Sequence, residues 1–364
     1  MKIKAAVVRE KAGPFIIEEI ELDEPRENEV LVRMVTCGVC HTDLVARDQL
    51  VPMKLPAVFG HEGAGIVERV GARVAKVQPG DHVAMSYLSC GACGPCEKGR
   101  PTHCDAFHQS NFMGARLDGS VTMQKGQEAI HGSFFGQSAF ASHVLASERN
   151  LVKIPNDLPL EIIGPLGCGI QTGAGGVINS LKVRPGSSIA VFGTGSVGVS
   201  AIMAAVVCGC TKIIAVDIND DRLGTAKKFG VTHTINSGKV DPVPEIMQIT
   251  GRGLDYALDC TGVPAVLRKA FDSLAVGGVC GLIGAAPAGA EASLDMHTIL
   301  NGRTLMGVVE GDSIPDIFIP QLIELYRQGR FPFDRMVTFY PFEEINQAAQ
   351  DSEMGKTLKA ILKF

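Results

Sequence analysis

Four thiols in one loop are the first residues that could do chemistry. Cys90, Cys93, Cys96 and Cys104 lie among Gly, Ala and Pro in CGACGPC followed by THC. Zinc takes four soft ligands tetrahedrally at about 2.3 Å, and this spacing lets one loop wrap the ion. A closed four-thiolate shell leaves no place for substrate, so the expected role is structural. An iron–sulfur cluster is the chemical rival, because Cys-x2-Cys-x2-Cys recurs there, and metal analysis separates the two. Cys40, His61-Glu62 and Cys168 form a second, scattered set. Each alone reads as packing; two thiols and one imidazole together leave a fourth zinc position open to water or substrate. Cys37-Gly-Val-Cys40-His41 also matches covalent haem attachment, but that chemistry belongs to exported proteins. The opening MKIKAAVVREKAG is charged too soon for a signal peptide.

Gly193-Thr-Gly195-Ser196-Val197-Gly198 supplies a different chemistry. A lone Gly-x-Gly-x-x-Gly is weak evidence, but here the strand-like SSIAVF precedes it, a helical run follows, and Asp217 ends the next strand, KIIAVD. Gly193 permits the sharp turn, Gly195 lets a pyrophosphate approach the backbone, and Gly198 lets helix pack on strand. The amides opening at Ser196 and Val197 face the phosphates with the positive end of the helix dipole. Asp217 can accept from both adenosine ribose hydroxyls and repels a 2′-phosphate, which predicts NAD rather than NADP.

These motifs need two kinds of scaffold. Residues 1 to about 155 carry short β-branched runs such as EVLVRMVTCGV and GAGIVERVG, cut by Gly and Pro, which predicts an all-β, barrel-like unit. From about Ile170 strands alternate with helices (SSIAVF, SVGVSAIMAAVVCG, KIIAVD, DDRLGTAKKFG, LDYALDC, PAVLRKAFDSLA), which specifies a parallel sheet with right-handed crossovers. The expected division is 1–165 with 310–364, and 166–309. With 364 residues, 46% hydrophobic and 20% charged, the chain has a globular composition and room for two cores. Its net charge of -5 and lack of a basic tract argue against a nucleic-acid partner. No apolar stretch is long enough for a bilayer. Eleven cysteines without an export signal predict reduced thiols and a cytoplasmic location.

CGVCHTD, GHEGAGIVERVG, the four-cysteine loop, PLGCGIQTG, GTGSVG with VDIND, and GKTLKAILKF together resemble the zinc-containing medium-chain alcohol dehydrogenases over essentially the whole chain. The resemblance implies a GroES-like β-barrel catalytic domain joined to a Rossmann, doubly wound parallel-sheet domain. It further implies that Cys40, His61 and Cys168 hold a catalytic zinc, with Glu62 close behind as a transient ligand. By the same resemblance Asp43 orients His61 and Thr42 bonds the reacting alcohol. His41, Arg222 and Lys359 approach cofactor phosphates and ribose, while Thr172 and the backbone at Ile283 and Ala285 surround the nicotinamide.

Two departures stand out. His41 replaces the Arg common at the pyrophosphate, and Val45 takes the place of the outer proton-relay histidine, so protons leave through Thr42 and the ribose, or through His41. The reaction implied is oxidation of a primary alcohol by NAD. HGSFFGQSAFASH, VARDQLVPMKLP and VVEGDSIPDIFIPQLIELYRQGRFPFD resemble bacterial aryl-alcohol dehydrogenases. Phe134 and Phe135 are therefore candidates for an aromatic slot, against the alternative that they fill core. Benzyl-type alcohols are expected first and allylic alcohols such as geraniol second. The glutathione-dependent formaldehyde branch is an alternative, and a non-catalytic zinc and dinucleotide binder a remote one. Relatives pair through the edge near Thr304 to Val309, which implies a homodimer or homotetramer.

Overall fold

Alternating apolar runs in the first half and continuous ones in the second form different sheets in the computed structural model, which describes residues 1–364. The chain divides into a first unit, Met1–Cys168 with Ile314–Gln321 and Asp334–Phe364, and a second, Gly169–Ser313 with Leu322–Phe333. Against the expected 1–165 with 310–364 and 166–309, residues 166–168 fall in the first unit, and 310–313 with Leu322–Phe333 fall in the second. Leu322, Ile323, Phe331 and Phe333 in that stretch are buried, and apolar burial draws it to the second core.

The first unit contains β1 (Lys2–Val8), β2 (Ile16–Leu22), β3 (Glu29–Gly38), β4 (Ala57–Val58), β5 (Glu62–Val70), β6 (His82–Met85), β7 (Met123–Lys125), β8 (Glu128–Ile130), β9 (His143–Ser147) and β10 (Leu151–Ile154). The second contains β11 (Ser188–Phe192), β12 (Lys212–Asp217), β13 (His233–Asn236), β14 (Leu254–Asp259), β15 (Leu274–Leu282) and β16 (Thr304–Gly307). The chain then returns to the first unit with β17 (Val337–Pro341) and β18 (Lys359–Lys363).

Two sheets build the first unit, in the orders β4-β1-β2-β7-β8 and β10-β6-β5-β3-β18-β17, with β9 also on β3. Val30, Val32, Phe59, Phe140 and Val144 lie in its core. Register does the positioning. Antiparallel β3 and β5 set Gly38 opposite Glu62, so the residues leaving β3 and those entering β5 come out side by side. β18 sets Ile361 opposite Gly38, which brings Lys359 to the same end.

The second unit is a six-stranded parallel sheet in the order β13-β12-β11-β14-β15-β16, the doubly wound order whose reversal opens a crevice at the strand carboxyl ends. β11 is buried along its whole length, as parallel strands covered on both faces are. Asn219 caps the helix Asp220–Ala226 through the amides of Asp221 and Arg222, and Asp241 caps Pro242–Thr250, which starts on Pro. No helix is long and apolar enough to cross a membrane.

Candidate active site

Helix α1 (His41–Arg47) starts directly behind Cys40, and Asp43 closes its first turn. Asp43 is fully buried. Its Oδ2 accepts from the Cys40 amide at 2.9 Å, and its Oδ1 accepts from the Gly60 amide at 3.0 Å and lies 2.7 Å from His61 Nδ1. One carboxylate therefore joins two segments that each carry a metal-binding side chain. The bond to Nδ1 turns the lone pair of Nε2 inward.

Glycines make the approach possible. At Gly60, φ is +92° and a Cβ would meet the Phe140 amide nitrogen at 2.4 Å. Gly38 leaves room for the Glu62 carboxylate, which a Cβ there would overlap. Gly167 lies so close to the Met85 carbonyl that only hydrogen fits, and its own carbonyl accepts from Ser86 Oγ at 2.6 Å. That contact seats the loop ending at Cys168.

Cys40, His61, Glu62 and Cys168 then offer one ligand atom each within 4.8 Å of one another. Zinc fits this set on a physical test: His61 Nε2 is buried without a hydrogen-bond partner, a costly state for a polar atom unless something binds it. The Cys168 thiol and the neighbouring imidazole favour the Cys40 thiolate against its burial and hold its pKa well below the usual range. Burial opposes the His61 cation, but Asp43 and Cys40 outweigh it and raise its pKa. Proton exchange for a divalent ion suits a site that already favours thiolates.

Lys359, which the resemblance sets near the cofactor, is held by a buried carboxylate. It is 1% exposed, and its Nζ donates to both Glu62 oxygens at 2.8 Å and to the Val39 carbonyl at 3.3 Å. It is thus the buried counter-ion of Glu62, whose own pKa burial raises. Phe134 and Phe135, for which a slot and a core position were both open, lie in the hydrophobic core. Phe135 stacks on His61 at 4.5 Å and Phe134 meets the same ring edge-on at 5.5 Å. Thr42 is partly buried, 3.8 Å from Cys40 Sγ. His41 is exposed and Val45 partly buried. Gln137, unnoticed in the sequence, is fully buried. It donates to the His61 carbonyl at 2.9 Å and accepts from the Gly63 amide at 3.1 Å. Its only signal was an amide inside the aromatic run SFFGQSAF.

The four-cysteine loop gathers Cys90, Cys93, Cys96 and Cys104 within 4.8 Å. Helix α2 (Gly94–Glu97) starts directly behind Cys93 with Pro95 in its first turn, while the amides of Cys90 and Asp105 point at Cys104 and Cys93 sulfurs at 3.3 and 3.5 Å. The Ala92 amide is the main force lowering the Cys90 thiol to about 6. Amides directed at sulfur are the surroundings a thiolate needs.

In the second unit the glycine turn has the form a dinucleotide requires. Gly193 has φ +89°, and a Cβ on Gly198 would stand 1.9 Å from the Gly193 carbonyl. A Cβ on Gly195 would meet nothing within 4 Å, so the space a pyrophosphate would use is open. Gly195 caps the 12-residue helix Ser196–Val207. Asp217, 7% exposed, accepts from Thr194 N and Oγ1 at 2.7 and 2.8 Å and from the Asn219 amide at 3.0 Å. It fixes the turn as well as marking the strand end. Arg222 is partly buried on the following helix. The Ile283 amide donates to the Asp259 carbonyl at 2.8 Å, and Ala285 is exposed just beyond. Thr172 donates to Glu310 at 3.3 Å, a residue no sequence pattern had marked.

A sheet-built unit with a two-sulfur, one-imidazole pocket and a doubly wound unit with a glycine turn define a metal-dependent dehydrogenase, a ligand pattern for which alcohol dehydrogenases are the type example. Residues 26–156 match the alcohol dehydrogenase GroES-like domain and residues 196–327 the zinc-binding dehydrogenase domain. Geraniol dehydrogenase of Castellaniella defragrans is 42% identical over 99% of this chain and 97% of its own. Benzyl alcohol dehydrogenase of Acinetobacter calcoaceticus is 48% identical with a TM-score of 0.97, covering 100% of this chain and 99% of its own. A zinc-binding-domain alcohol dehydrogenase of Burkholderia ambifaria is 54% identical with a TM-score of 0.98, at the same coverage. This chain belongs to the zinc-containing medium-chain alcohol dehydrogenase family and is an oxidoreductase of it.

Proposed function

We propose that this enzyme oxidises a primary aromatic or allylic alcohol to its aldehyde with NAD, using one zinc at Cys40, His61 and Cys168 and a second in the four-cysteine loop. The observation that carries the reading is His61 Nε2, buried and unpartnered among two thiols and a carboxylate. Zinc held there supplies Lewis acidity that lowers the pKa of an alcohol toward neutrality.

The chain's own residues do the rest. Asp43 keeps the imidazole aimed, and Lys359 balances the buried Glu62 charge. Thr42 accepts the hydroxyl proton and passes it outward. Because Val45 has no titratable group, the proton would continue by way of a bound cofactor's ribose or the exposed His41. Bound NAD would supply the two-electron acceptor for the hydride of the carbinol carbon, and the hydroxyl proton goes to solvent, which balances the oxidation. The glycine turn binds the pyrophosphate, and Arg222 stands near the adenosine end. Asp217 takes the ribose hydroxyls, and its charge excludes a 2′-phosphate. Thr172 with the backbone at Ile283 and Ala285 lines the nicotinamide.

The substrate class is supported by two relatives named for geraniol and for benzyl alcohol, both of which carry the hydroxyl one carbon from a π system. Phe134 and Phe135 back the imidazole, so the aromatic preference is not assigned to them. β16 ends the parallel sheet, and through this edge we propose a homodimer or homotetramer.

A panel of benzyl alcohol, geraniol, ethanol and hydroxymethylglutathione, each with NAD and NADP, tests the reading on zinc-loaded protein. The expected order by kcat/KM is benzyl alcohol, then geraniol, then ethanol, all with NAD. Ethanol ahead of both removes the aromatic and allylic assignment. A lead for hydroxymethylglutathione favours the formaldehyde branch, and a preference for NADP overturns the role of Asp217.

A further inference from the structure

Glu310, Gly311 and Asp312 follow β16 with φ of +48°, +64° and +46°. Two of these three carry side chains, and L residues enter that region in succession only when their surroundings enforce it. Helix α3 (Phe107–Phe112) plays no part in this. The enforcing element is helix α4 (Gly169–Gly175) with the turn that continues it. A Cβ on Gly311 would stand 2.5 Å from the Gln171 carbonyl. Asn179 Nδ2 donates to the Gly311 carbonyl at 3.1 Å, and Ser180 Oγ donates to Asp312 at 2.7 Å.

The result of this anchoring is the direction of Glu310. Its carboxylate accepts from Thr172 Oγ1 at 3.3 Å and from Gln171 Nε2 at 3.4 Å. On the same helical stretch, the space a Cβ of Gly176 would take is bounded by Ile283 Cδ1 at 2.8 Å. Thr172 therefore holds Glu310 on the same helical stretch that, one turn on at Gly176, packs against Ile283, the residue just beyond β15. Thr172 and Ile283 are residues that the proposed function sets around the nicotinamide.

Resting on that reading, we propose that Glu310 is the charge partner of the oxidised nicotinamide ring and distinguishes cationic NAD+ from neutral NADH. A Thr172 hydroxyl that donates to a carboxylate does not spend its own lone pairs in that bond, so the pair carries negative potential beside the place the proposed function assigns to the ring. Oxidised nicotinamide carries a positive charge and gains from this; the dihydronicotinamide ring is neutral and does not. A group that interacts differently with the two forms shifts their relative binding, whereas one that only braces the fold weakens both alike.

Direct binding to the full-length, zinc-loaded protein without alcohol tests this. NADH is titrated by fluorescence and NAD+ by calorimetry, on wild type and on Glu310→Gln. The expected result is a rise of about tenfold in the Kd for NAD+ and less than about twofold in that for NADH. Glu310→Gly serves as the second variant, because glycine suits the positive φ. It should unfold no earlier than wild type and show the same selective loss, which keeps the test open should the Gln form fold poorly. Equal loss of both cofactors, or no change in either, overturns the proposal. Failure of the wild-type chain to bind NADH would instead overturn the cofactor reading on which it rests.

Discussion

Cys90, Cys93, Cys96 and Cys104 come from one short loop, whereas Cys40, His61 and Cys168 come from three distant segments. In the loop, three of the four thiols are only partly buried, and the polar atoms directed at them are neighbouring amides. In the assembled site His61, Asp43 and Glu62 are fully buried, and Asp43, Gln137 and Lys359 bind across segment boundaries. The loop draws its four thiols from one short, partly exposed segment, so a metal held there would serve folding. The assembled site is shaped by the protein's own contacts and would leave a bound metal free for chemistry.

The sharpest way to break this contrast is Cys40→Ser. Turnover should fall by about 10³-fold or more, with one zinc lost per chain and the thermal midpoint almost unmoved. A large drop in midpoint would mean that the assembled site also depends on its ion for shape.

Lys359→Met comes next. It leaves Glu62 buried without its counter-charge, and a denaturant titration should show a loss of about 3–5 kcal/mol. Combining it with Glu62→Leu should recover most of that loss. A Lys359→Met chain as stable as wild type would show that the pair is not part of the preformed framework.

Asp43→Asn keeps the shape of the side chain but weakens the bond that aims His61. Zinc affinity at that site alone should fall about 10–100-fold in a competition assay, while the loop keeps its ion. Loss from both sites would contradict their independence.

The smallest effect on activity belongs to Cys96→Ser. One zinc should be lost, and the midpoint should fall by a few degrees, about 1–2 kcal/mol for a chain of this size. Turnover per remaining zinc should stay within about threefold. A collapse of turnover would show that the loop acts on the chemistry as well as on stability.

The sequence alone was sufficient for whatever is written locally. The four-cysteine loop, the glycine turn with Asp217, and the strand–helix alternation behind it are short-range patterns, because spacing along the chain sets which atoms can reach one ion or one phosphate. The strand ending at Asp217 and the helix Ser196–Val207 fall where the pattern placed them. Cys40, His61 and Cys168 suit zinc by residue type, but nothing in their spacing brings them together, and only the family motifs tie them to one ion.

Tertiary structure decided the rest. The β3–β5 register sets Gly38 beside Glu62, and β18 delivers Lys359 to Glu62. Burial turned Phe134 and Phe135 into backing for an imidazole and gave Gln137 a bridging role. Glu310 gained meaning only when a left-handed turn aimed it at Thr172. Each outcome depends on long-range pairing and close packing, which fix where a side chain points only after distant segments have met.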